Sequence, residues 1–321
     1  MSFLSRVLAA IGRRGTEGFA LSIFMGLALP QFAATARPVL PITIFCFMVV
    51  VFLRADLTII AGLIRKPARL IGSCLWLIAA PAVLVSLVFL VLGRGTLDPG
   101  LVLGLAILGA APPIMSSPAV AILYGFEPSL IIASVLSITI LSPVVAPILV
   151  DLLAGQAVPL EPSVLFLRLA IFVGGGMAVA FALRRWFGPA RIVAAKAQLD
   201  GFGVIMYFVF AVAAMDGVTH AALNEPWFVA GAIGLTFALA LISLGLGLAA
   251  LRFAPQTDRF ILGYGGAQRN MGLLIAALGA GVPPKTYLFF ALAQFPIYLL
   301  PWLLKPLAAR VAGKGDRLTL W

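Results

Sequence analysis

Arg269 stands inside an apolar stretch, in the run GYGGAQRN. A cation there costs about 2.5 to 3.5 kcal/mol on insertion scales, and more in simulations. No Asp or Glu falls in the middle of any apolar segment, so a deep Arg269 has no carboxylate to pair with. Three roles are open to it: contact with an anionic substrate, neutralisation of helix C-terminal carbonyls as a fixed cation, or snorkelling from a shallower position. Gln268 and Asn270 flank it with side chains that both donate and accept, which suits frayed carbonyls as well as a ligand. Ser116 and Ser117, in the run GAAPPIMSSP, can do the same from a second stretch.

Two further pairs have the spacing for chemistry. Ser134 and Ser137 lie three apart and share a helix face, as an ion-binding pair or as small hydroxyls that bond their own carbonyls and allow close packing. Asp216 and His220, four apart in DGVTH, fit a gate or vestibule pair, or the water-facing end of a helix. The single His gives no metal constellation, and no HExxH, GxSxG or phosphate-loop pattern occurs. A membrane enzyme needs acid, base or metal groups gathered in one place. The expectation is therefore not an enzyme, with no cofactor and no resident metal.

What positions these residues follows from composition. The 321 residues are 63% hydrophobic and 10% charged, with a mean hydropathy of +1.15. A soluble chain carries roughly 25% charged residues, so the chain reads as an all-α polytopic membrane protein whose first partner is the lipid bilayer. The net charge of +11 comes from short clusters between apolar runs rather than from a basic face, which argues for headgroup contact and against nucleic acid. Cys46 and Cys74 both lie in apolar segments and read as small apolar side chains. The early apolar run leads straight into further spans, unlike a cleaved signal peptide.

Cutting at charged and Pro/Gly-rich joints gives segments at 18–34, 38–53, 71–92, 100–124, 129–150, 163–182, 202–221, 228–250, 260–281 and 286–304. Each is near the roughly 20 residues that span a bilayer. The first two are separated only by ATARPV, and a single element there would lower the count to nine. With ten spans, seventeen of the 22 basic residues fall on one face, and only Arg37, Arg94, Arg168 and Lys285 on the other. The positive-inside rule then places both termini in the cytoplasm and the chain in a cell inner (plasma) membrane.

The fourth segment is broken at Pro112, Pro113 and Pro118, and the ninth at Gly263, Gly265 and Gly266 followed by three polar residues. Fourth of five and ninth of ten are matching positions in two halves, residues 1–160 and 161–321. An odd number of helices per half puts the halves in opposite orientations. Paired interruptions of this kind predict discontinuous helices at a carrier's central site, since unwound backbone at the midplane is tolerated only where it lines a cavity or is buried in protein. Pro143 and Pro147 read as kinks, and Gly174, Gly175 and Gly176 as a place for close helix contact.

In GAAPPIMSSPAVAILYGFEPSLIIASVLSITILSPVVAP and GYGGAQRNMGLLIAALG the chain resembles the sodium/bile-acid symporter family, within the wider group that includes arsenite exporters and auxin-type carriers. The resemblance implies ten helices in two inverted five-helix repeats, with helices 4 and 9 unwinding and crossing. It implies a panel domain (helices 1, 2, 6 and 7), a core domain (helices 3–5 and 8–10), and sodium-coupled transport of an organic anion. Substrate would then meet Ser117, Gln268, Arg269 and Asn270. A sodium ion would draw on Ser116, Ser117, Ser134, Ser137 and Gln268. Tyr264 stands where the family has a carboxylate, Arg269 where it has an asparagine, and Pro118 follows Ser117 where it often has Asn. That exchange of charge points to a sodium-independent or proton-coupled alternative. A channel would show a continuous polar stripe and a sensor a soluble output domain, and neither pattern is evident. Substrate identity and oligomeric state are not legible.

Overall fold

A computed structural model of the chain describes residues 24–55, 67–155, 161–252 and 254–313, together with residue 7. The described residues are almost entirely helical. Among the described residues, seven helices are long and apolar enough to cross a membrane: Pro30–Arg54, Pro67–Leu92, Ser129–Ala154, Pro162–Phe187, Lys196–Asn224, Pro226–Ala250 and Pro284–Leu303. Labelled in chain order, they comprise α1 (Pro30–Ala36) running through a tight turn at Arg37–Val39 into α2 (Leu40–Arg54), α3 (Pro67–Leu92), α6 (Ser129–Ala154), α7 (Pro162–Phe187), α9 (Lys196–Ala214) with α10 (Val218–Asn224), α11 (Pro226–Ala250), and α14 (Pro284–Leu292) with α15 (Gln294–Leu303). The short α8 (Pro189–Ala194) and α16 (Lys305–Val311) flank them. The expected fourth and ninth spans are absent from the seven because each is broken, into α4 (Pro99–Ala110) and α5 (Ser117–Leu123), and into α12 (Gln256–Ala267) and α13 (Met271–Leu278).

One expectation fails at the start. ATARPV does not separate two spans: Ala36, Arg37, Val39 and Leu40 all keep right-handed helical backbone, so segments 18–34 and 38–53 do not form a hairpin at this joint. Pro38 lies in the tight turn Arg37–Val39 that joins α1 to α2, and the backbone stays helical through it. A tenth crossing would have to lie before residue 24, outside the described residues.

The ion pairs mark two ends. Each of the five ion pairs among the described residues joins groups that alternation along the chain assigns to one face: Arg54–Asp200 and Arg69–Asp258 at one end, Arg37–Asp216, Lys285–Asp98 and Lys285–Glu225 at the other. The succession long helix, broken helix, long helix in α3 to α6 recurs in α11 to α15. The first series starts at the Arg69 end and the second at the Glu225 end, so they run in opposite directions. The basic residues at 6, 13, 14, 65, 66, 314 and 317 lie outside the described residues.

Apart from a small cluster of Leu53, Ala180 and Ile192, apolar side chains fill two large clusters. One gathers Val85, Leu105, Ala213, Leu273 and Phe289; the other gathers Leu77, Val135, Leu244 and Phe260; Met115 packs against both. Outward faces are apolar as well, with Leu90 at 79% exposure, Val91 at 80% and Phe181 at 71%, a surface suited to lipid rather than to water. Trp186 and Trp302 lie at the Arg54 end and Trp227 at the other, where amphipathic rings favour the interface. Helix α2 packs on both α7 and α9, and α3, α4, α6, α11, α12 and α14 form a second connected group. The two groups meet where α7 lies on α6 and where α13 lies on α2 and α7.

Candidate functional site: two helix breaks paired back to back

The breaks follow from local chemistry. Ala111 and Pro112 each precede a proline, which disfavours helical backbone; α4 therefore ends at Ala110 and Ala111 turns extended (φ −61, ψ 147). On the other strand of the crossing Gln268 is extended (φ −86, ψ 96) and Asn270 leaves the helical region before α13 starts. Unwound backbone must find partners in a low-dielectric interior. Here each break supplies the other's. Ile114 N donates to Gln268 O at 2.7 Å and Asn270 N to Pro112 O at 2.8 Å, and Pro113 faces Arg269 in an antiparallel bridge.

Arg269 is 2% exposed, which removes snorkelling. Its Nη1 donates to Leu77 O at 2.7 Å and its Nη2 to Ala111 O. Both acceptors are carbonyls that the helices have left free. Pro81 in α3 lacks the N–H that would bond the carbonyl four residues back, at Leu77, and Ala111 caps the C-terminus of α4. The guanidinium thus sits at the negative end of one helix dipole and fills a proline gap in another helix. Among the described residues it has no carboxylate partner, and its Nε is unpaired. Of the roles open to Arg269, the geometry favours the fixed cation.

Ser117 Oγ and Gln268 Oε1 are also buried without a partner, their residues 0% and 1% exposed. These two oxygens do not fit a sodium ion beside Arg269. A guanidinium already occupies the nearby carbonyls of Ala111 and Leu77, and the aromatic Tyr264, 2% exposed, stands where a carboxylate was expected. Ser134 bonds Ser73 across α3 and α6 at 2.7 Å and also donates to Leu130 O, so it ties two helices together. Ser137 is half-buried and lies outside the cavity described next.

A cavity of about 100 Å³ lies between the crossing and the α2/α9 pair. Ile44, Phe47 and Val51 of α2 and Tyr207 and Phe210 of α9 form one wall; Ile114, Met115, Ser116, Arg269, Asn270 and Gly272 form the other, with Gln294 at the side. The hydroxyl-bearing side chains of Tyr207 and Ser116 line its opposite walls. A Cβ on Gly272 would lie 3.1 Å from Ile44 Cδ1 and 3.2 Å from Phe210, so α2 and α9 approach α13 closely beside the cavity. Asn270 is the N-cap residue of α13, whose first amides lack intrahelical partners. Sequence reading missed Phe47, Tyr207 and Gln294. Tyr207 and Gln294 are polar interruptions in apolar helices, a weak signal that exists; Phe47 has none.

The Asp216–His220 pair does not form. Helix α9 stops at Ala214 and Gly217 is left-handed (φ 80), so the two residues do not share a helix face. Asp216 instead accepts from Arg37 at 3.0 Å, and His220 is exposed. In the glycine run at 174–176, Gly175 and Gly176 lie close against the Phe45 and Met48 side chains of α2, while Gly174 has nothing near it. No family model matches the chain, and no curated protein gives a significant match.

Proposed function

We propose that this chain is a secondary carrier of a small, partly apolar organic anion, and not an enzyme. The observation that carries the reading is the pair of helix breaks hydrogen-bonded to each other beside a cavity. Broken helices at matching places in halves of opposite direction are how carriers build a central site. The reading agrees with the resemblance to the sodium/bile-acid symporter family. In that arrangement α2, α7 and α9 act as the panel, α3 to α6 and α11 to α15 act as the core, and the two groups move against each other. Five helices in each inverted half would require the crossing before residue 24.

The substrate's charge would meet Asn270, Ser116 and the first amides of α13, with Arg269 supplying positive potential from behind and no carboxylate lining the cavity to oppose it. Phe47, Phe210 and Ile44 would hold its apolar part. Because Arg269 already holds the carbonyls at the crossing, transport proceeds without a sodium ion there. In this reading the Arg54 end, with its excess of basic residues, would face the cytoplasm from a cell inner membrane.

Accumulation of radiolabelled organic anions by proteoliposomes tests this. A panel of small aromatic and aliphatic carboxylates should include at least one that enters faster than into empty liposomes. Asn270→Ala and Tyr207→Phe should raise its KM. If no anion enters while neutral or cationic solutes do, the reading is wrong.

A further inference from the structure

From polar and cation–π contacts that cross between the helix groups at the Arg37 end, we infer that Arg37, Asp216 and Tyr287 form a latch that closes the cavity toward the Arg37 face. The inference rests on the carrier reading above, and its test does not depend on transport. The Arg37 guanidinium pairs with Asp216 at 3.0 Å and lies 4.1 Å over the ring of Tyr287. The Tyr287 hydroxyl donates to Ala213 O at 2.8 Å. Arg37, Ala213 and Asp216 belong to the α2/α7/α9 group, and Tyr287 in α14 belongs to the other. One cation–π contact and one hydrogen bond therefore cross the boundary between the groups. Arg168 of α7 adds a second crossing nearby, donating to Leu278 O at 2.9 Å and Ala277 O at 3.2 Å at the C-terminus of α13.

The ion pairs of the opposite end behave differently. Arg54–Asp200 joins α2 to α9, and Arg69–Asp258 joins α3 to α12, so each stays inside one group. Between the ends, Ile44 and Phe210 press on Gly272, while Val51 carries the cavity wall to within one turn of Arg54. The latch would shut the cavity at the Arg37 face and leave the Arg54 face as its way in. Alternation then requires the contacts of Arg37 with Asp216 and Tyr287 to part. Asp216 orients the guanidinium over the ring, so removing the carboxylate frees Arg37.

Sided labelling of a cavity cysteine tests the latch. In the full chain with Cys46→Ala and Cys74→Ala, Ser116→Cys is labelled by a membrane-impermeant maleimide in right-side-out and inside-out vesicles. The expected result is labelling from the Arg54 face alone. Asp216→Asn or Arg37→Gln should raise the rate from the Arg37 face by about tenfold or more, the population shift expected when contacts of this strength are lost. Retained labelling from the Arg54 face identifies a folded variant, and Tyr287→Phe, which keeps the ring under Arg37, should give a smaller rise. Parent labelling from the Arg37 face, or folded latch variants still closed there, overturns the latch. A latch that opens as expected in a protein that moves no anion would leave the latch standing and sink the carrier reading instead.

Discussion

At the scale of residues, Arg269 is a cation whose partners are two backbone carbonyls. Truncating it leaves both unsatisfied, and a buried unpaired group costs about 1 to 3 kcal/mol. Arg269→Ala should therefore lower the melting temperature in detergent as well as remove uptake. Arg269→Lys should restore little, because a single ammonium cannot reproduce a planar fork spread over Leu77 O and Ala111 O. Pro81→Ala makes a sharper prediction. It supplies the N–H that Leu77 O lacks, so the helix competes with Arg269 for that carbonyl; the protein should stay folded and lose uptake, read by melting and transport measured together. The cost of Arg269 was legible in the sequence, as were its neighbours Gln268 and Asn270. The direction of its guanidinium was not, because that depends on a proline in a distant helix. Likewise, the partner of Asp216 proved to be Arg37 from across the chain and not the nearby His220.

At the scale of elements, prolines and glycines set most of what the helices do. The break after Ala110 and the pairing of the two interruptions could be anticipated from consecutive prolines and a glycine-rich run, since freed backbone groups in an apolar interior need partners. Pro143 stays inside α6, where the Ser142 hydroxyl takes the Thr139 carbonyl that the proline leaves without a donor. The joint at ATARPV misled because Pro38 and Arg37 look like a loop in sequence, yet the backbone stays helical through them. Which glycines make close contact was also hidden from the sequence. Gly247 in α11 meets Gly263 in α12, and a Cβ there would sit 2.4 Å from the Gly263 Cα. Gly247→Ala should destabilise by about 1 to 3 kcal/mol, the usual cost of overpacking. Gly245→Ala, two residues away with nothing within 4 Å, should leave the melting temperature unchanged or slightly raised, which makes it a control for helix propensity alone.

At the scale of the whole molecule, segregated ion pairs define two ends and the crossing lies between two apolar clusters. The sequence foretold which residues share an end, because alternating spans fix it once their number is known from α2 onward. It could not foretell that, among the described residues, the ion pairs of Arg54 and Arg69 stay within one helix group while Arg37 and Arg168 reach across to the other, since those contacts depend on tertiary packing. If the Arg54 end faces the cytoplasm, a cysteine at Arg69 should react with an impermeant reagent only in inside-out vesicles, and one at Arg94 only in right-side-out vesicles. The central claim is that an arginine fixed at the crossing takes the place of a bound cation in an anion carrier. Its most direct test is uptake of an anion into proteoliposomes with sodium inside and out, or with sodium replaced by potassium, for the parent and for Arg269→Ala. The account predicts equal uptake in the two salts for the parent, and loss of uptake in a variant that remains folded and inserted. Uptake that requires sodium and survives the loss of Arg269 would contradict it.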